Sequence, residues 1–321
     1  MIHSGDRART LAHRLWIYQA ERFPLAQHGP AVALFAVSGV LVTARVIGSG
    51  LPSAWTFVVA FALSLLLFLQ LRIADEFKDA EDDRRFRPER PVPRGLVSLR
   101  LLAGIAAGSA VAELVLALSL APLVAGLLVM AWAWIGLMTV EFGAGRRLRA
   151  RPVLYLVSHM AIMPLIALLV TGCVWVQAGL PPPDWVLPFL ALAFANGCVL
   201  EIGRKTWAPE EEREGVETYS SLWGSSRAAG AWLLSLGGAG VCTALSLIGV
   251  VAGSAGVTPV AEALLAAGLA AILMFAAAAG LRFQRAPSLA RRKRLSIAAA
   301  LWVLASYLIL GIASWMAMPA A

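Results

Sequence analysis

From residue 72 to residue 84 the chain reads Arg-Ile-Ala-Asp-Glu-Phe-Lys-Asp-Ala-Glu-Asp-Asp-Arg, directly after a long apolar run. Glu76, Asp79 and Asp83 are three and then four residues apart, and Asp75 and Asp79 are four apart. On a helix this spacing stacks the carboxylates on one face, where like charges repel unless something positive lies among them. A hard divalent cation meets that need. Mg²⁺ takes oxygen ligands and is usually held by one or two carboxylates together with substrate phosphates. The alternative is a solvated helix end whose acids pair with Lys78, Arg84 and Arg85. The segment continues as Arg87-Pro88-Glu89-Arg90-Pro91-Val92-Pro93-Arg94-Gly95, stiffened by three prolines. Arginines on such a loop can clamp phosphate oxygens in a forked geometry. A positive-inside topology signal would also account for them.

A second charged stretch follows another apolar run: Glu201-Ile202-Gly203-Arg204-Lys205, leading through Glu210, Glu211, Glu212, Arg213 and Glu214 to Tyr219 and Gly224. Residues 210–214 read as solvated loop. Glu201, Arg204 and Lys205 lie at the mouth of the apolar helix, as Asp75–Asp83 do at theirs, and the two stretches could face each other across a cavity. In a membrane protein, ionisable groups crowded against apolar helices are where chemistry is sought.

The elements that must position these residues are membrane helices. The chain has 321 residues, of which 60% are hydrophobic and only 14% charged, against about a quarter charged in soluble domains. Several apolar runs reach the roughly 20 residues that cross about 30 Å of hydrocarbon as a helix. Their length and continuity exclude barrel strands. About nine spans are expected, near residues 31–49, 54–73, 98–120, 123–142, 153–176, 184–202, 228–251, 259–281 and 296–316. The fold class is therefore all-α and polytopic, with the helices around a central cavity.

Lys and Arg concentrate in the N-terminal segment and in the connections after spans 2, 4, 6 and 8, and nearly vanish from the connections between. The positive-inside rule then places the N-terminus and both charged stretches in the cytoplasm. The expected location is the cytoplasmic membrane, with the site facing inward. This topology, with attraction to anionic lipid heads, accounts for the net charge of +8, and no nucleic-acid partner is expected. Nor does any feature demand a protein partner. Cys173, Cys198 and Cys242 all lie in apolar runs and read as packing residues. Residues 1–30 read as a cytoplasmic amphipathic segment, with Leu11, Leu15, Trp16 and Tyr18 set among arginines. Residues 31–321 read as one membrane domain.

With these residues in view, the chain resembles the UbiA superfamily of intramembrane prenyltransferases. Asp75-Glu76-Phe77-Lys78-Asp79-Ala80-Glu81-Asp82-Asp83 resembles that family's first motif, Asn-Asp-x-x-Asp-x-x-x-Asp. Asp75 stands where the family has Asn, Glu76 stands where it has Asp, and Asp79 and Asp83 are identical. Arg90-Pro91 with Gly95 resembles its Arg-Pro-x-x-x-Gly segment, and Gly215-Val216-Glu217-Thr218 through Gly224 resembles the Gly-x-x-Thr…Gly run that trails its second motif. The acids before it depart from the pattern: Glu201 occurs with Lys205 where a second aspartate would be expected, and Glu210 and Glu211 are alternative matches.

The resemblance implies a Mg²⁺-dependent transfer of a prenyl group from a prenyl diphosphate to an acceptor. It implies metal ligation by Asp75, Glu76, Asp79, Asp83 and Glu201. Diphosphate contacts would come from Arg72, Lys78, Arg90, Arg94, Arg204, Lys205 and Tyr219, with Asp79, Asp83 and Lys205 central to catalysis. Lys205, as a point charge, would bind the diphosphate directly, leaving a second metal weakly held or absent. Trp132, Trp134, Phe142 and Tyr155 are candidates to shield an allylic cation. His159 and Glu113 are intramembrane polar groups that could line the cavity.

Three other readings compete. A membrane terpene cyclase would share the architecture and need no acceptor. A transporter should show broken helices in repeated halves near the midplane, whereas here the charges gather at one membrane face. A CDP-alcohol phosphotransferase should carry Asp-x-x-Asp-Gly-x-x-Ala-Arg, and the glycine and alanine–arginine are missing after Asp79.

Overall fold

A computed structural model describes residues 10–252, 254 and 256–318. It is helical throughout, with no strand among the described residues. A short helix α1 (Leu11–Arg22) precedes α2 (Leu25–Ile47) and α3 (Ala54–Lys78), and α4 (Ala80–Phe86) carries the end of the acidic cluster. The chain then forms α5 (Leu99–Leu120) and α6 (Pro122–Thr139), a one-turn α7 (Gly145–Arg149), α8 (Pro152–Met160) and α9 (Ile162–Trp175). Next come α10 (Leu187–Arg204), the short α11 (Tyr219–Trp223), α12 (Ser225–Val251), α13 (Pro259–Arg285) and α14 (Leu289–Met316). Nine candidate spans are long and apolar enough to cross a membrane among the described residues, α8 and α9 together forming the fifth.

Local sequence explains the boundaries. Ser53, Ser98 and Thr258 accept hydrogen bonds from backbone N–H groups three residues on, capping α3, α5 and α13. The fifth span breaks at Ala161. Pro164, three residues on, cannot donate to the Met160 carbonyl and crowds it.

Packing is tightest around α2, α9, α10, α12 and α14. Gly39 on α2 makes one close approach possible: a Cβ there would lie 2.7 Å from Val170 and 3.1 Å from Phe189. Phe35, Phe189 and Tyr307 form an aromatic cluster against it. Polar groups tie the same helices together. Trp232 donates to the Val199 carbonyl at 3.0 Å, and Trp302 donates to Asn196, which donates on to Ser306. Small residues and interhelical hydrogen bonds are the usual basis of helix association in lipid.

A second, smaller apolar cluster holds the region of interest. Tyr18 of α1 packs with Ile73 of α3 and with Leu96, Val97 and Leu102 at the start of α5, and Leu15 packs beside it. The amphipathic reading of this segment therefore applies to one face only, because Trp16 is about half a turn away from Tyr18 and points outward. Arg7 and Arg9 of the same expected segment lie outside the described residues. The first span starts at Leu25, earlier than residue 31, and contains Pro30 in its second turn.

Candidate functional site

The helix α3 runs straight from the bilayer into the acidic cluster and ends at Asp79, whose φ of −92° and ψ of 5° separate it from α4. The carboxylates then part company. Glu76 is buried and accepts from Arg22 of α1 at 2.6 Å, with Arg72 at 3.6 Å. Asp83 is also buried and accepts from Arg90 at 2.6 and 2.7 Å and from Arg87 at 3.0 Å. Arg94 binds Glu21 of α1 at 2.8 and 2.9 Å. The proline-rich loop is thus fastened by ion pairs to α4 and α1. The acids do pair with basic side chains, but with Arg22, Arg72, Arg87 and Arg90 rather than Arg84 and Arg85.

Asp83→Ala would leave Arg87 and Arg90 without their shared partner. Removing one member of a buried pair costs about 3–5 kcal/mol; because both arginines are about a quarter exposed, a loss of roughly 2 kcal/mol is expected. A lowered melting temperature of the solubilised variant would show it, and an unchanged one would contradict it.

Asp75 and Asp79 remain. Asp75 is largely exposed and has one ion pair among the described residues, with Arg72 at 3.5 Å. No ion pair or side-chain hydrogen bond engages the Asp79 carboxylate among the described residues. Burial pushes its pKa above the usual carboxylate range, and the neighbouring charges of Asp75 and Asp83 push it further. The charges of Lys78 and Arg72 offset this only in part. Among the described residues no three His, Cys, Asp or Glu side chains gather as a ready-made metal cage. Asp75 and Asp79, one helical turn apart, nevertheless meet the needs of Mg²⁺, which commonly takes one or two carboxylates and completes its shell from substrate phosphate and water.

Lys78 forms no ion pair with these acids among the described residues and bonds elsewhere. Its ammonium bonds the Tyr155 hydroxyl, lies 3.2 Å from His159 Nε2 and 3.4 Å from Glu141, and sits 4.7 Å from the Tyr155 ring centroid. The Tyr155 and His159 rings stack at 3.9 Å. His159 Nδ1 lies 2.9 Å from the Tyr155 carbonyl; a proton on Nδ1 leaves Nε2 as the acceptor for Lys78. Burial alone would raise the Glu141 carboxyl, but hydrogen bonds from Arg149 and the charge of Lys78 hold it below its ordinary value. Glu141 and Phe142 both have positive φ, 49° and 54°. Such strain in non-glycine residues costs about 1–3 kcal/mol each and persists where surroundings over-determine it. Phe142 packs edge-on to Trp134 and His159 at 5.4 and 6.0 Å.

Across from α3, Glu201 accepts from Arg204 at 2.6 Å and from Lys205 at 2.9 Å, so both its oxygens are engaged. The Tyr219 N–H donates to the Lys205 carbonyl, and Lys205 Nζ lies 5.9 Å from the Tyr219 ring. Burial, and then the Glu201 charge, raise the Tyr219 hydroxyl. Arg204 lies within electrostatic reach of Asp75 and Asp79. Beneath Lys205, Pro164, Leu190, Phe194, Cys198, Gly238 and Cys242 border an apolar groove of about 480 Å³ between α9, α10 and α12.

The expected diphosphate contacts thus divide. Arg204 and Lys205 engage Glu201, Lys78 engages Tyr155 and Glu141, Tyr219 is buried beside Lys205, Arg72 flanks Asp75, and Arg90 and Arg94 are turned into ion pairs that shape the loop. Trp132 instead donates to Glu113, which with Gln70 and Ser109 forms a polar knot on the opposite side of α3. The residues that sequence spacing did not single out are Arg22, Glu141 and Arg149. All reach the site by folding; beforehand Arg22 and Arg149 read only as positive charge in the connections, and Glu141 as an acid near a helix end.

The UbiA prenyltransferase family profile matches residues 32–298. Among solved structures, the chain is similar to a UbiA homologue from Aeropyrum pernix K1 in its apo form, with 17% identity, a TM-score of 0.62, and coverage of 89% of this chain and 96% of that one. It is similar to a digeranylgeranylglyceryl phosphate synthase (14% identity, TM-score 0.57, covering 94% of this chain and 99% of that one). It is also similar to a UbiA homologue from Archaeoglobus fulgidus bound to DMAPP and Mg²⁺ (13% identity, TM-score 0.53, covering 90% of this chain and 99% of that one). No curated protein matches. With nine candidate membrane spans among the described residues and a family match over most of its length, the chain is a multi-pass integral membrane protein and belongs to the UbiA prenyltransferase family.

Proposed function

We propose that this protein transfers a prenyl group from a prenyl diphosphate to an acceptor at the cytoplasmic face of the membrane, with the diphosphate held between the end of α3 and the end of α10. The observation that carries this is Asp79, a carboxylate beside Asp75 that no ion pair engages among the described residues, within electrostatic reach of Arg204 on the second stretch. Family membership and the DMAPP and Mg²⁺ bound by the A. fulgidus homologue support the same reading.

One Mg²⁺ would be held by Asp75 and Asp79; when bound, it supplies positive charge to the diphosphate oxygens. The protein's own groups do the rest. Lys205 and Arg204 bring charge to the opposite side of the diphosphate, in place of a second metal. Glu76 and Asp83, engaged by arginines, keep α1 and the proline-rich loop in register around the site. As the allylic C1–O bond breaks, its electron pair leaves with the diphosphate, and fixed cations stabilise that charge in a water-poor setting. The acceptor's nucleophile then bonds to C1 and gives up its proton. Phe142, Tyr155 and Trp134, gathered around His159 and Lys78, would shield the cation.

The test is to incubate purified protein in lipid nanodiscs with allylic diphosphates, Mg²⁺ and a membrane extract as acceptor source. Mg²⁺-dependent pyrophosphate release with a new prenylated product is expected. Hydrocarbon release without extract would show cyclisation instead. No pyrophosphate release from any allylic diphosphate would overturn the reading.

A further inference from the structure

We propose that a second groove, between α3, α5 and α6, binds a lipophilic alcohol or phenol dissolved in the bilayer, whose hydroxyl is received by Glu113 and Gln70. The site lies apart from the acids of α3, and the proposal does not depend on the prenyl-transfer reading.

The groove encloses about 370 Å³, within the range of small-ligand sites, about 300–1,000 Å³. Gln70 and Phe77 of α3, Ala106 and Ala110 of α5, and Trp132 of α6 border it. Gln70 and Phe77 share a face of α3 roughly opposite Asp75 and Asp79, so the groove and the acidic cluster use different sides of one helix. Along α5, Ala106, Ala110 and Glu113 succeed one another at intervals of four and three, and Glu113 therefore continues the face that lines the groove. The same helix turns Val111, Leu114, Val115 and Leu118 outward, which places the groove on the lipid side of the bundle.

The inner end of the groove is polar, and its polar atoms are not all partnered. Glu113 Oε2 accepts from Gln70 at 2.6 Å and from Trp132 at 3.0 Å, and the Gln70 amide also donates to Ser109 at 3.0 Å. The other carboxyl oxygen, Glu113 Oε1, is buried and has no hydrogen-bond partner among the described residues. No donor engages Gln70 Oε1 either among the described residues. At membrane depth such atoms cannot turn to bulk water, and leaving them unpaired is costly.

These atoms select the ligand. A hydroxyl can both donate and accept, so it satisfies Glu113 Oε1 whether the carboxyl is ionised or protonated. An ether or ketone serves only the protonated acid, and an ammonium serves only the carboxylate. Around the hydroxyl, the alanines of α5 leave room for hydrocarbon, which the Trp132 and Phe77 rings flank. Phe77 is 41% exposed at the rim, so the ligand can enter sideways.

The test uses the full chain in nanodiscs and two photoactivatable probes, a diazirine-bearing alkylphenol and its methyl ether. The phenol should label peptides spanning residues 70–77 and 103–110, and excess unlabelled alkylphenol should compete. The ether should label them about tenfold less, the scale set by leaving a buried polar group unpaired. Geranyl diphosphate with Mg²⁺ should not displace the phenol. Equal labelling by the two probes, or none at these peptides, would overturn the proposal and mark the groove as a surface for acyl chains. Displacement by the diphosphate would overturn it by assigning the groove to the donor. Glu113→Met, similar in length but apolar, should erase the preference for the phenol, and a preference that persists would remove Glu113 from the site. If that variant does not fold, the comparison of the two probes on the wild type still decides.

Discussion

Asp79→Asn is expected to abolish prenyl transfer while making the protein more stable. Loss of a metal-holding carboxylate at a charge-driven step should reduce turnover by about a thousandfold or more. The stability change follows from the sign of the pKa shift. Asp79 binds its proton more tightly in the folded protein than in the unfolded chain, so its ionisation opposes folding, and stability falls as pH rises through its raised pKa. Asparagine removes that charge and leaves Asp75 and Asp83 with less repulsion. A higher melting temperature without Mg²⁺, together with lost activity, is the paired result that identifies Asp79 as a site residue. Mg²⁺ should raise the melting temperature of the wild type and have little effect on the variant. Wild-type turnover by Asp79→Asn would remove Asp79 from the chemistry, and unchanged or lowered stability would contradict the electrostatic account.

Lys205→Ala is expected to lower kcat/KM by about a hundredfold, the scale for losing one charged donor to a developing anion, and Mg²⁺ should not restore it. The reasoning is substitution of one kind of charge for another. Glu201 and residue 205 sit one turn apart on α10, and a carboxylate at 205 would recreate with Glu201 the kind of acid pair that Asp75 and Asp79 form on α3. Here an ammonium stands in that place and already neutralises Glu201 at 2.9 Å. Lys205→Asp should therefore lose less than Lys205→Ala when Mg²⁺ is raised. If neither variant responds, Lys205 does not meet the diphosphate.

The fold was legible because the bilayer imposes a coarse rule. Runs such as 54–73 and 259–281 had to be helices, and the alternation of basic loops fixed their parity. The first acidic cluster was legible for a similar reason, since spacing on one helix is a local property. What spacing could not say was which carboxylates would be used up. Glu76 and Asp83 look equivalent to Asp79 in sequence, but each is buried against arginines, Glu76 against one more than 50 residues away and Asp83 against two in the following loop. The members of the Lys78 pocket were visible as separate candidates, but their meeting was not. It depends on Glu141 and Phe142 taking a left-handed backbone, which ordinary residues rarely adopt and no pattern announces. The break at Ala161 was readable from Pro164, while the turn of the helix face that brings Tyr155 and His159 toward α3 was not.

The Arg22–Glu76 pair also says something about how the protein is made. Arg22 leaves the ribosome well before its partner, and the two can meet only after the α2–α3 hairpin has been inserted, because both then lie on the same side of the membrane. Until that moment α1 must wait at the lipid surface, holding its arginines among the headgroups. Once the second helix is across, burial of Glu76 against Arg22 anchors the newly placed hairpin to the surface helix. Completion of the first half of the site would thus be an early checkpoint of assembly, reached before the helices bearing Tyr155 and Lys205 have been synthesised.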